Sequence, residues 1–326
     1  MYHYTVPKAK HLRVIVDTDC KNEADDQFAL THHLMTPRFD IMAINAAHFE
    51  VRHHDGTSMG KSYDEIMKIL KLTGNEGKYR VLHGSQYPLQ YDPAERTNDD
   101  YLISHSSAFT PKVSWQENEA SRFLIEEALR EDPRPLFVVC LGALTNVATA
   151  LLMNPEIAGR FTCVWIGGGA YPRGTWEFNL LQDVPAANIV FGSKLDLWQI
   201  PAPVYSQIKI SLAELQVRVR PHGEIGRYLF EQLVALNDEY GENQTWPAGE
   251  MWCLGDQPTV TVLLEASQYD YDVIPAPLFT RDLNYIACET NRPIRVFHRV
   301  DPRLTLEDFF AKLEINFPAE KASDRA

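Results

Sequence analysis

Four aspartates lie within ten residues of one another near the N-terminus, directly after an apolar run. They are Asp17, Asp19, Asp25 and Asp26. The run before them ends in β-branched residues at positions 14–16, which predicts the end of a buried parallel strand. Apolar residues then recur at helical spacing over positions 28–34. Because ligands of open α/β sheets bind beyond the carboxyl ends of the strands, we expect this acidic loop to border a ligand crevice.

So much negative charge in a half-buried loop needs a counterion, because like charges a few Å apart raise one another's pKa and oppose folding. A hard divalent cation meets this need, since calcium and magnesium both prefer oxygen ligands. Asp19 and Asp26, brought together by the loop, can share one such ion. Asp25 is predicted to point differently and to take a proton from a water on the metal. Acids that cap a helix N-terminus would explain one or two of the aspartates, but not four.

Size and charge limit the classes of protein to which the chain can belong. Its 326 residues, 45% of them hydrophobic, can form one large core, and no linker or repeat divides them. We therefore predict a single α/β domain over residues 1–317 and a disordered tail over residues 318–326. The net charge of -13 argues against nucleic-acid binding, which needs a basic surface, and favours a small neutral or cationic ligand.

The N-terminal segment and the cysteines bear on cellular location. Residues 1–7 lack the apolar core of a signal peptide, and no uncharged apolar run is long enough to cross a membrane. These features predict a cytoplasmic protein without a membrane partner. The five cysteines show no paired spacing, so the sequence indicates neither a disulfide framework nor a zinc site.

Strand-like and helix-like segments alternate along most of the chain. The predicted strands are residues 39–47, 80–84, 135–141, 161–166 and 295–299. The predicted helices are residues 63–72, 121–129, 144–153, 259–264 and 306–312. This alternation predicts an open, mostly parallel sheet flanked by helices, with right-handed crossovers. A long polar connection, residues 92–112, contains His105 and has the profile of an active-site loop.

Further polar groups lie near the ends of predicted elements. Segment 48–54 holds three histidines and is expected to border the same crevice, although such histidines are more often solvated or hydrogen-bonded than metal ligands. The glycine run 167–169 lacks the lysine and spacing of a phosphate loop and indicates close backbone approach to a ligand or a tight bend. Glu177 and Asn179 lie two residues apart, which would place both on one side of a strand. Such an alternating pair can bind sugar hydroxyls, but it is also found at an ordinary strand edge. Asp256 on its own would be taken for a helix N-cap.

Taken in order, these segments resemble the inosine–uridine-preferring nucleoside hydrolase family over most of the chain. The matching motifs are Asp17-Thr-Asp19 with Asp25-Asp26, Gly142-Ala-Leu-Thr-Asn146, Asn154-Pro-Glu-Ile157, Gly168-Gly169, Glu177-Phe-Asn179 with Asp183, and Asp256-Gln-Pro258. The resemblance implies a Rossmann-like α/β fold, a hydrolase that acts on N-glycosyl compounds, and assembly into a homodimer or homotetramer.

The resemblance also implies a calcium site and a sugar site. The implied calcium ligands are three carboxylates and one main-chain carbonyl, namely those of Asp19, Asp26, Asp256 and Leu141. Asp25 is the implied base that activates water. The implied substrate-binding residues are Asp25, Glu177 and Asn179, to which we add His48 and Trp252 as candidates.

Such an enzyme would hydrolyse the N-glycosidic bond of a ribonucleoside or modified nucleoside and release ribose and free base. Cleavage of the C–N bond leaves positive charge on the ribose, which surrounding carboxylates stabilise. Two other functions stay open. One is a nucleoside- or ribose-binding protein that keeps the metal site and has lost catalysis, and the other is hydrolysis of a different ribosyl or sugar conjugate.

Two of the departures from the family pattern concern the acidic loop and the protonation of the leaving base. The loop between Asp19 and Asp25 is two residues longer, so Lys21 or Glu23 can enter the site. Gly255 stands where many members place a histidine that protonates the leaving base. Candidate replacements for this acid are His48, His105, Glu50 and Trp252, and candidate aromatic walls are Trp176, Trp246 and Trp252. The base specificity is therefore open.

Overall fold

An eight-stranded sheet positions the acidic loop. The computed structural model of the chain describes residues 1–53, 55–89, 117–243, 247, 249–265 and 270–319. The strands are β1 (Leu12–Thr18), β2 (Phe39–Ala46), β3 (Val81–His83), β4 (Leu136–Cys140), β5 (Thr162–Ile166), β6 (Asp196–Ile200), β7 (Lys209–Ser211), β8 (Met251–Cys253), β9 (Tyr271–Pro275), β10 (Leu278–Phe279), β11 (Tyr285–Ile286) and β12 (Pro293–Phe297). The helices are α1 (Asp26–Leu34), α2 (Glu50–His53), α3 (Ser58–Leu72), α4 (Glu119–Leu129), α5 (Thr145–Met153), α6 (Phe178–Gln182), α7 (Val184–Gly192), α8 (Ala202–Tyr205), α9 (Leu212–Arg218), α10 (Gly223–Asn243), α11 (Pro258–Leu264) and α12 (Pro302–Asn316).

The strand order of the sheet is β3-β2-β1-β4-β5-β6-β12-β9, with β9 antiparallel to β12 and the other neighbours parallel. The chain runs outward from β1 to β2 and β3, and then returns to place β4 on the other side of β1. The order therefore reverses between β1 and β4, and a crevice opens beyond their carboxyl ends. The predicted open, mostly parallel sheet is confirmed.

Strand β1 is buried along its whole length. Val14 and Val16 pack into one core with Phe28 of α1, whereas Ile15 packs into a second core with Val147 of α5. Side chains alternate between the two faces of a strand, so a central parallel strand covered on both faces must be apolar on both. This requirement explains the uninterrupted apolar run before the acidic loop.

Most predicted elements are present, with differences at their ends. Helix α3 begins at Ser58 rather than at residue 63, and α12 covers Pro302–Asn316 rather than residues 306–312. Part of segment 48–54, which holds three histidines, forms the short helix α2. Strand β6 has no counterpart among the predicted strands.

Glu177 and Asn179 lie at a helix N-terminus, and the predicted alternating pair is wrong. Glu177 has extended backbone angles and is the N-cap residue of α6. Its carboxylate accepts hydrogen bonds from the backbone N–H groups of Asn179 at 3.1 Å and Leu180 at 2.8 Å. A capping carboxylate satisfies backbone donors that have no partner within the helix, and this local stabilisation favours the helical conformation.

Some predictions concern residues outside the described part of the chain. The polar connection 92–112 with His105, the aromatic candidate Trp246 and residues 320–326 of the predicted tail all lie there. The single domain over residues 1–317 stays a prediction. Among the described residues, no helix combines the length and the apolar character needed to span a bilayer.

A buried ion pair fixes β1 to α4. Arg13 donates from Nη1 to Oε1 of Glu127 at 2.9 Å and to the main-chain oxygen of the same residue at 3.0 Å. Its Nε atom donates to the main-chain oxygen of Arg134 at 3.0 Å. The side chains of Arg13 and Glu127 are only 4% and 1% exposed. The pair therefore holds β1, the strand that precedes the acidic loop, against α4.

Replacing Arg13 by methionine should lower the free energy of unfolding by about 3 kcal/mol, because Glu127 would stay buried without its main partner. Arg122→Ala is the matched control, since its ion pair with Glu117 is 57% and 50% exposed. Exposed pairs contribute at most about 1 kcal/mol. Urea unfolding of both variants measures the difference, and equal losses would contradict the role given to Arg13.

Candidate active site

Asp17 links the elements whose carboxyl ends meet at the crevice. Its Oδ2 atom accepts hydrogen bonds from Nδ2 of Asn45 at 3.1 Å and from Nδ2 of Asn146 at 3.0 Å. Its main-chain oxygen accepts the N–H of Leu141 at 2.8 Å. Asn45 belongs to β2 and Asn146 to α5. Asp17 is therefore a buried structural link, and it does not line the cleft described below.

Three carboxylates converge beyond this link. Asp25, Asp26 and Asp256 each place an oxygen atom within 4.8 Å of the others. Thr18 donates a hydrogen bond to Asp26, and the N–H of Gly255 donates to Oδ2 of Asp25 at 2.9 Å. The first bond joins α1 to the end of β1, and the second joins the residue before α1 to the loop that precedes α11.

Burial and mutual repulsion oppose ionisation of this cluster. Burial raises the pKa of Asp25 to about 6, although backbone donors, including that of Gly255, partly offset the rise. Burial, followed by the charge of Asp25, raises the pKa of Asp26 to about 7. The pKa values of Asp19 and Asp256 lie well above their ordinary range because of burial and neighbouring aspartates. A divalent cation would reverse these shifts, because it favours the charged form of each carboxylate.

Asp19 provides the observation that best fits a metal site. Its Oδ2 atom is buried and has no hydrogen-bond partner within the described part of the chain. A Cβ added at Gly142 would lie 2.6 Å from Oδ1 of Asp19, so a glycine there lets the carboxylate reach its position. A buried carboxylate oxygen without a partner is unfavourable unless a cation binds it. Asp26, Asp256 and Leu141 line the same cleft, and the residues present therefore fit a hard divalent cation.

Glu177 and Asn179 are held in fixed positions at the edge of this cleft. Asn179 donates from Nδ2 to the main-chain oxygens of Leu141 at 2.6 Å and Ile166 at 2.9 Å. It thereby ties together the carboxyl ends of β4 and β5. Both oxygens of Glu177 accept hydrogen bonds, and one of these bonds comes from the hydroxyl of Tyr205 at 3.0 Å.

The glycine run at residues 167–169 is a tight bend, one of the two predicted explanations. Gly168 has a φ of +86°, and a Cβ there would lie 2.3 Å from Nε2 of Gln199. Such a position strongly favours glycine. The N–H of Gly168 donates to Oε2 of Glu177 at 2.7 Å. The bend therefore helps to fix Glu177.

The cleft has a volume of about 340 Å³ and brings seven predicted site residues together. They are Asp19, Asp25, Asp26, Leu141, Glu177, Asn179 and Asp256. Trp176, a predicted aromatic wall, also lines the cleft and is 67% exposed. Of the two candidates from the longer loop, Glu23 lines the cleft. Lys21 instead places Nζ 3.9 Å from Oε2 of Glu65.

The structure does not bring His48, Glu50 or Trp252 to the cleft. His48 is buried with Nε2 at 2.8 Å from Oγ1 of Thr145, and burial lowers its pKa to about 3. Glu50 is buried and accepts the hydroxyl of Ser58 at 2.7 Å. Trp252 is packed in the hydrophobic core. Packing and internal hydrogen bonds account for the burial of these residues, and none of the three lines the described cleft.

Tyr205 is a cleft residue that the sequence analysis missed. It ends α8, the short helix after β6. A Cβ added at Gly255 would lie 2.9 Å from Cδ2 of Tyr205, so the ring fills the space beside this glycine. The rule that ligands bind beyond the carboxyl ends of parallel strands points to the segment after β6. If β6 had been recognised in the sequence, this rule would have predicted that the segment after it borders the cleft.

A sequence model of the family described as inosine-uridine preferring nucleoside hydrolase matches residues 14–304. The chain belongs to this family. It is accordingly a hydrolase that acts on N-glycosyl compounds. Pyrimidine-specific ribonucleoside hydrolase RihA of Salmonella arizonae is 27% identical over 233 residues, which cover 70% of this chain and 72% of the relative. The protein of the same name from Citrobacter koseri is 28% identical over 234 residues, with the same two coverages of 70% and 72%.

Solved structures of low sequence identity share the fold of this nucleoside hydrolase family member. The purine-preferring ribonucleoside hydrolase from Gardnerella vaginalis has a TM-score of 0.74 at 20% identity, covering 94% of this chain and 99% of its own. Type III effector protein XopQ, solved in complex with adenosine diphosphate ribose, has a TM-score of 0.68 at 14% identity, covering 95% of each chain. The predicted Rossmann-like fold is confirmed.

Gly142→Ala should weaken divalent-metal binding about 10- to 100-fold, because the new methyl group would displace Asp19. Gly60→Ala is the matched control, since a Cβ there meets nothing within 4 Å. The control should bind metal normally and gain about 0.5–1 kcal/mol of stability from its position inside α3. Calorimetric titration with calcium and magnesium chloride measures the affinities. Normal metal binding by Gly142→Ala would contradict the role given to Asp19.

Proposed function

We propose that this family member hydrolyses the N-glycosidic bond of a ribonucleoside or modified nucleoside and that the reaction requires calcium. The products are ribose and free base. The observation that carries the proposal is the meeting of the aspartate cluster with Glu177 and Asn179 in one cleft. Such a set of side chains can bind a hard metal ion, provide a water-activating base and bind a sugar at the same place.

The calcium ligands in this proposal are Asp19, Asp26, Asp256 and the main-chain oxygen of Leu141. Bound calcium would anchor the sugar hydroxyls and lower the pKa of a neighbouring water. Calcium is favoured over magnesium because it accepts six to eight oxygen ligands in flexible geometry. The buried Oδ2 atom of Asp19, which has no hydrogen-bond partner among the described residues, supports this ligand set.

Asp25 is the proposed general base. The N–H of Gly255 holds its carboxylate in place at 2.9 Å. The carboxylate takes a proton as water attacks the anomeric carbon of the sugar. Attack on the face opposite the departing base gives inversion at that carbon.

Glu177 and Asn179 are the proposed sugar-binding residues. Breaking the C–N bond gives the ribose oxocarbenium character, and fixed carboxylates stabilise this positive charge. Glu177 is held by hydrogen bonds from Gly168 and Tyr205, so little reorganisation is needed during the reaction. Asn179 is held through its Nδ2 atom by two main-chain oxygens.

Release of free base from a panel of purine, pyrimidine and modified nucleosides, measured with calcium and with a chelator, tests this proposal. We expect release to depend on calcium. Asp25→Asn should lower kcat by about 10²- to 10⁴-fold, which is the usual contribution of a general base. Asp55→Asn removes a carboxylate that is 48% exposed and lies outside the cleft, and should leave kcat unchanged.

Two results would contradict the proposal. Release that persists in the chelator would overturn the calcium requirement. Absence of release from every nucleoside, with calcium-dependent nucleoside binding retained, would overturn hydrolysis and favour the nucleoside- or ribose-binding protein.

A further inference from the structure

The cleft carries a large excess of acidic side chains. The acidic residues that line it are Asp19, Glu23, Asp25, Asp26, Glu177 and Asp256. Its described lining contains no lysine, arginine or histidine. One divalent cation offsets only two negative charges. The cleft therefore favours a substrate with positive charge over a neutral one and disfavours a phosphorylated one.

Glu23, Trp176 and Tyr205 are three of the cleft residues that the proposed metal and sugar sites do not use, and we call these three the base subsite. Trp176 is 67% exposed and contacts the ring of Phe178 edge-on. Its indole is therefore accessible to a ligand in the cleft. An aromatic face and a carboxylate are the groups that recognise organic cations.

Glu23 reaches the base subsite because five residues separate Asp19 from Asp25. Its negative charge makes a small contribution to the raised pKa of Tyr205, after burial, Glu177 and Cys253. It also makes a small contribution to the raised pKa of Cys253, after burial and Asp25. Tyr205 and Cys253 both line the cleft. Glu23 therefore lines the same cleft as the ring of Tyr205.

The base subsite is poorly suited to protonate a departing base. Gly255 offers no side chain, and Tyr205 fills the space beside it. The Tyr205 hydroxyl donates its hydrogen bond to Glu177 at 3.0 Å. A base that leaves as an anion would be repelled by the carboxylates, whereas a base that begins as a cation leaves neutral and needs no proton.

We propose that the base subsite takes a positively charged heteroaromatic base joined to ribose through nitrogen, of the pyridinium or N7-alkylated purine type. The inference rests on the proposed ribosyl hydrolysis and specifies its substrate class. The C1′–N bond breaks, and its electron pair neutralises the charge of the ring. The water oxygen bonds to C1′, while the proton of that water passes to Asp25 and then to solvent. The products are ribose, a neutral base and one proton.

Steady-state kinetics with four ribosides and two variants of Glu23 test the inference. N-ribosylnicotinamide and 7-methylguanosine are the cationic substrates, and inosine and uridine are the neutral ones, all assayed in excess calcium slightly below neutral pH. Glu23→Gln should lower kcat/KM for the cations about tenfold, mainly through KM, and change it less than about twofold for the neutral ribosides. Glu23→Asp keeps the charge and should stay within about threefold of the wild type for all four.

Trp176→Leu should also raise KM for the cations several-fold, and Trp176→Phe, which keeps an aromatic face, should raise it less. Loss of activity on one cationic substrate alone would distinguish a pyridinium subsite from an alkylpurine subsite. Both outcomes support recognition of a cationic base.

Equal effects of Glu23→Gln on cationic and neutral ribosides, or no effect on either, would overturn the inference while leaving the hydrolase intact. If no riboside is cleaved, the proposed hydrolysis fails, and the same comparison is made with dissociation constants measured by calorimetry. Tighter binding of the cations, lost in Glu23→Gln, would then support the inference, and equal binding would overturn it.

Discussion

Mutual repulsion among buried carboxylates is the constraint around which this molecule is built. Asp19, Asp25, Asp26 and Asp256 meet beyond the carboxyl ends of β1 and β4, where burial raises the pKa of each. This arrangement makes the free energy of folding less favourable, because desolvation of the carboxylates and repulsion between like charges both oppose it. The surrounding sheet must therefore hold the carboxylates in place, and a bound cation would turn their repulsion into coordination.

The same constraint shapes the rest of the cleft. Asp17, at the carboxyl end of the central strand β1, is hydrogen-bonded to β2 and α5. These bonds give the carboxylates beyond it a rigid frame. Gly142 leaves room for Asp19, and Gly255 leaves room for Tyr205. Small residues stand where a larger one would push a functional group away. An anionic cleft of this kind would stabilise the positive charge of the proposed sugar transition state and of the proposed cationic base.

The acidic loop and the sheet could be predicted because they depend on local patterns. A fully buried parallel strand requires an apolar run, and a cluster of aspartates after it requires a partner. The rule for parallel strands points only to the segment after β6, and not to Tyr205 itself, because the role of Tyr205 depends on its approach to Glu177 and Gly255, which are distant in sequence. The positions of His48 and Trp252 likewise depend on tertiary packing, which buries both and excludes them from the cleft.

Urea unfolding of the wild type and of Asp256→Asn, each in calcium and in a chelator, tests most directly whether the carboxylates are assembled for a divalent cation. In the chelator the variant should be at least as stable as the wild type, because one repulsive charge is gone. At 100 times the dissociation constant, calcium should stabilise the wild type by about 2.7 kcal/mol and the variant much less, so that their order reverses. The same order in both conditions, with a wild type that calcium does not stabilise, would contradict a metal site.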